Sequence, residues 1–82
     1  MSDPITIDLK HPFTSSGVKV SAVKMRRPTV DDMVAAGDGD QSDARKEVTL
    51  FANLCMLNPG DLGKMDFADF KKLQAAFASF AD

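Results

Sequence analysis

The chain has 82 residues, and its 12 acidic and 10 basic side chains leave a formal charge of −2. That length has room for one domain, taken as residues 1–82, which buries only about 60–65% of its unfolded surface and leaves little to wall off a deep active site. The acidic balance excludes nucleic acid as a dominant partner, because no electropositive excess exists to collect phosphates.

One cysteine, Cys55, excludes an internal disulfide and a multi-thiolate metal site. One histidine, His11, excludes a multi-histidine cage. No apolar run reaches the roughly 18–20 residues of a membrane span. The opening MSDPITID lacks the basic and apolar regions of a secretory signal, so the expected address is the cytoplasm.

The first quarter reads as β. Ile5, Ile7 and Leu9 alternate with Thr6, Asp8 and Lys10. Ser15, Ser16 and Gly17 form a turn cluster, and a second alternation runs through Val18, Val20, Ala22 (or Val23) and Met25. The phase slip near Ala22 and Val23 marks a bulge or a second buried face. The expectation is a hairpin over residues 3–27.

Pro28 ends the strands. Thr29, followed by Asp32, opens a short helix over 29–36 with the apolar stripe Val30, Met33 and Val34. Residues 37–43 read as an acidic loop. Ser42 or Asp43 then caps a helix over 43–57, where Val48, Phe51, Ala52 and Cys55 share a face widened by Leu50, Leu54 and Leu57. Asn58, Pro59 and Gly60 stop it, and residues 59–65 form a short helical turn. Asp66 caps the last helix, 66–81, with Asp69 favouring the positive end of its dipole. Strands followed by helices make an α+β fold: an N-terminal hairpin and a small bundle of three helices.

The candidate chemistry is thin. Asp38, Gly39, Asp40 and Asp43 suggest the start of a calcium loop, but position twelve from Asp38 is Thr49 where a bidentate Glu is needed. Gly37 and Gly39 are too close together for a phosphate-cradling fingerprint. His11 has no nucleophile near it in sequence, and Cys55 lies on the apolar stripe as a small hydrophobe. The expectation is no catalytic residue, no cofactor and no metal, and therefore no enzyme. Arg26 and Arg27 form a small basic edge that guards a strand or touches phosphate.

The last helix is the strongest feature. Phe67, Phe70, Leu73, Phe77 and Phe80 recur at helical spacing. Phe67, Phe70 and Leu73 read as core. Phe77 and Phe80, near the C-terminus where a core is thin, read as a partner surface. Met25, Met33, Met56 and Met65 add adaptable apolar surface.

The order of these pieces resembles the small tail assembly chaperones of contractile-tailed, Mu-like phages and prophages. The resemblance rests on Arg27-Pro28-Thr29 with Asp32, Ala36-Gly37, Leu50-Phe51-Ala52-Asn53-Leu54, and Asn58-Pro59-Gly60-Asp61-Leu62. It continues through Met65-Asp66-Phe67-Ala68-Asp69-Phe70 and Leu73-Gln74-Ala75-Ala76-Phe77. Gly63 and Lys64 stand where the family is often more apolar. The resemblance implies a non-enzymatic helper in the host cytoplasm, absent from the mature virion. Such a helper binds the tape measure protein, keeps it soluble and assists tail tube subunits to polymerise.

For that role the expected contact set is Met33, Leu54, Phe70, Phe77 and Phe80, and the same faces could pair two copies as a homo-oligomer. The competing expectation is a structural virion component, such as a small tail-completion or connector protein. A third is a DNA-associated regulator using Arg26 and Arg27, against which the charge argues.

Overall fold

A computed structural model describes residues 4–81. The order is β1 (Ile5–Ser15), β2 (Val18–Met25), α1 (Val30–Gly37), α2 (Asp43–Leu54), α3 (Pro59–Leu62) and α4 (Phe67–Ser79). The fold is α+β, with an antiparallel hairpin first and helices after it. Residue 3, where the hairpin was expected to begin, lies outside the described residues.

The hairpin closes through Ser16 (φ 51°) and Gly17 (φ 79°). Two consecutive positive φ values give a two-residue turn whose twist matches that of the strands. Ile7 faces Val23 and Phe13 faces Val20 across the ladder. Between them the register breaks: residues 9–12 of β1 stand against residue 21 alone. The sequence placed the irregularity on β2, near Ala22 and Val23; the extra residues belong to β1. Pro12 has no amide to donate, which makes this stretch a poor ladder. The bulge also explains the phase slip, because Val23 and Met25 share a buried face with Ile7, Leu9 and Phe13 while Ala22 is exposed.

Each helix start is capped as its sequence dictates. Thr29 and Asp32 form a reciprocal capping box. Ser42 Oγ accepts from the Arg45 amide, and Asp66 Oδ2 from the Ala68 amide. The end of α2 departs from expectation. The helix stops at Leu54, and Met56 takes a left-handed φ of 58°. The Leu57 amide then donates to the Ala52 carbonyl at 2.8 Å and the Met56 amide to the Asn53 carbonyl at 3.3 Å. That pair is a Schellman ending with methionine where glycine is usual.

Phe51, Met25, Leu54, Leu62 and Leu73 form the most deeply buried apolar layer. The hairpin lies across α4, α3 and α2, while α1 packs on α2. The Arg26 amide donates to the Leu54 carbonyl at 3.0 Å, fixing the exit of β2 against the end of α2.

The α1 stripe faces water: Val30 is 79% and Met33 50% exposed, and Ala36 is the buried residue of that helix. One apolar expectation reverses: Phe67, read as core, is 70% exposed. The inward face of α4 is Asp69, Leu73 and Ala76. At 3.6 residues per turn, Phe67 stands about 120° round the helix from Leu73. Its ring instead carries the Lys71 ammonium 5.9 Å from the centroid.

Candidate functional site

Asp69 sets how α4 is turned. Its side chain is fully buried, and Oδ1 and Oδ2 accept from the Lys10 and His11 amides, each at 2.9 Å. These are the amides that the β1 bulge removes from the ladder, so the carboxylate supplies acceptors that β2 cannot. Lys72 Nζ lies 3.4 Å from Oδ1 and also donates to the Asp8 carbonyl. Burial alone would raise the pKa of Asp69, but the two amides and the Lys72 ammonium outweigh it and hold the carboxyl below its ordinary range. The sequence showed only an acid in the first turn of a helix. Nothing local signals partners 58 and 59 residues away.

The rotation fixed by Asp69 presents the end of α4 to α1. Met33 of α1 and Phe77 and Phe80 of α4 line an open cleft of about 340 Å³ with Pro28, Thr29 and Val30. Met33 and Phe77 also line an adjoining space of about 280 Å³ that reaches Ala36, Leu50 and Phe51. The walls are overwhelmingly apolar. Arg27 holds Phe80: its guanidinium donates to the Phe80 carbonyl at 3.3 Å and sits 5.7 Å from the Phe80 ring centroid. That arrangement suits the negative end of a helix.

Three of the five expected contact residues, Met33, Phe77 and Phe80, therefore meet in one cleft. Phe70 faces a different one, about 320 Å³ between α2, α3 and the start of α4, shared with Val48, Met65 and Phe67. Leu54, also expected in the contact set, lines neither cleft. It is 1% exposed, in the layer under the hairpin, and its carbonyl holds the Arg26 amide. A partner could reach it only by displacing the hairpin.

The remaining sequence candidates are occupied in other ways. Arg26 grips Asp32 through two hydrogen bonds of 2.7 Å, and this pairing with the Thr29 bonds holds the Asp32 carboxyl well below the usual range. Burial pushes the Cys55 thiol up to about 11, far from the thiolate a nucleophile needs. His11 Nε2 lies 4.0 Å from Asp66 Oδ2 on the surface. Among the described residues no cluster of His, Cys, Asp and Glu is placed to hold a metal, and no helix is long and apolar enough to cross a membrane.

The class these features define is a small α+β protein whose accessible feature is apolar groove rather than reactive side chain. A family model described as phage tail assembly chaperone proteins, E, or 41 or 14, matches residues 6–82, from β1 through the end of α4. The chain belongs to that family. No curated protein and no solved structure matches it.

Proposed function

We propose that this protein acts without catalysis in the host cytoplasm, binding apolar helical segments of the tape measure protein and keeping them soluble while the tail tube polymerises around them. It leaves before the virion is complete. The observation that carries the reading is the open cleft in which Met33, Phe77 and Phe80 converge on a polar, well-capped scaffold. Such a cleft fits the apolar face of an amphipathic helix. Methionine and phenylalanine walls adapt to varied side chains, which suits a client that must later be released. Phe70 extends the contact set on the other side of Phe51.

Co-expression with the tape measure protein encoded in the same phage or prophage tests this. The expected result is a soluble tape measure protein that co-purifies with the chain and loses it when Met33 and Phe77 are both changed to Ser. An insoluble client with no complex overturns the proposal. Purified particles distinguish the connector reading, which requires the chain in fixed stoichiometry.

A further inference from the structure

The space of about 280 Å³ that adjoins the open cleft, here the α1-side cleft, and the α3-side cleft meet at one polar bridge. Gln74 Nε2 of α4 donates to Glu47 Oε1 of α2 at 2.9 Å, and Glu47 lines both clefts. One turn along α2, the buried Phe51 ring lies 5.4 Å from Phe70 and 5.4 Å from Phe77. Phe70 walls the α3-side cleft and Phe77 the α1-side cleft. They are seven residues apart on α4, which is two turns, or about 10.5 Å along the axis. On any other α-helix, residues seven apart share a face with the same separation.

We infer that the partner is an amphipathic helix lying along α4, which seats one apolar side chain in each cleft from positions seven residues apart and carries a basic residue between them. The inference rests on the client-helix reading above and adds the spacing and charge of the client. The basic residue answers Glu47, whose Oε2 accepts no hydrogen bond among the described residues. Lys46 lines only the α1-side cleft, so positive charge on the partner is favoured at the midpoint and not beyond it. A second copy of the chain does not fit as occupant. Its exposed large apolar helical side chains are the single-turn stripe Val30, Met33 and Val34 of α1 and the lone Phe67 of α4, and no two of them stand seven apart on one helix.

Synthetic helical peptides of about 20 residues, long enough to hold helix in water, test this against the full-length protein. One carries two Leu seven apart with Lys at the fourth position after the first; controls space the Leu residues four or eleven apart, or replace the Lys by Glu. Fluorescence anisotropy should give the seven-spaced Lys peptide at least a tenfold tighter Kd than either spacing control. The Glu peptide should bind more weakly, and Glu47→Lys should reverse that preference. Met33 methyl and Phe77 ring NMR signals should move with binding. Equal affinity at all three spacings, with those signals still moving, overturns the inference while leaving client binding in the clefts intact. If no peptide moves them, yet the tape measure protein is still solubilised on co-expression, the inference fails because the client docks elsewhere. If co-expression fails as well, both proposals fall.

Discussion

The two ends of α4 are built on opposite rules. At its start, Asp69 is sealed from water and every bond has a fixed direction: two backbone amides, one ammonium, and the hairpin laid over them. At its end, Phe77 and Phe80 stand half-buried across an open cleft from a methionine, with dispersion and water exclusion as the main forces. Directional polar contacts in a dry site specify one arrangement. Undirected apolar contacts tolerate many. The first end therefore determines where the second can be, and the second is left free to accommodate what it meets.

The largest expected effect comes from breaking the sealed end. Asp69→Ala leaves the Lys10 and His11 amides without their acceptor and opens a cavity where a fully buried side chain stood, and should lower the urea midpoint more than any other single substitution considered. Asp69→Asn should recover little, since an amide offers one acceptor oxygen to two donors. The pH dependence has a definite sign. The folded carboxyl titrates lower than the unfolded one, so its stabilisation is present above the ordinary carboxylate range and is lost as pH falls through the lowered folded value. Thermal melts across acidic pH should show a fall in Tm for the native chain that Asp69→Asn lacks in part. Asp32 contributes with the same sign, but its pairing with exposed Arg26 is screened by water.

The next effect sharpens the contrast between core and cleft. Leu54→Ala should cost about 2–5 kcal/mol in denaturant unfolding. Met33→Ala should change stability by less than about 0.5 kcal/mol while weakening client binding, since the residue is already half in water. Equal losses for both would mean that the cleft is core and not a docking face.

The smallest effect has the opposite direction. Met56 is 88% exposed and left-handed. Met56→Gly should stabilise the protein by roughly 0.5–1 kcal/mol, the left-handed penalty relieved less the added freedom of the unfolded chain. Thermal unfolding measures it, and a loss of stability would show that the methionine side chain packs against something at the end of α2.

The difference between the ends also separates what the sequence discloses from what it does not. Local rules gave the hairpin turn at Ser16 and Gly17, the capping residues Thr29 and Asp66, and the order of strands before helices, because each depends on a few neighbouring residues. Phenylalanine spacing on α4 pointed to the cleft through Phe77 and Phe80. What stayed hidden depends on contacts across the chain. Asp69 has the same local signature as any first-turn acid, and its bonds fix the rotation that turns Phe67 outwards. Leu54 looked reachable because apolar periodicity does not tell which neighbour, if any, covers a stripe, and the hairpin covers it. The pairing of Glu47 with Gln74 gave no sequence signal, since a bridge between two helices requires knowing that they meet.

The bonds from residues 10 and 11 to Asp69 also order events during synthesis. At about 5–20 residues per second, a ribosome needs roughly 3–12 s to travel from one partner to the other. Through that interval the nascent hairpin has its turn but not its anchor, and the side of the ribbon bearing Ile7, Phe13 and Val23 lacks α4, the helix it packs on most. A loop of this length is slow to close, so the hairpin is anchored only after residue 69 has emerged. A message truncated before codon 69 would thus yield a hairpin and three helices without the carboxylate that anchors the ribbon, a fragment with an apolar face left uncovered.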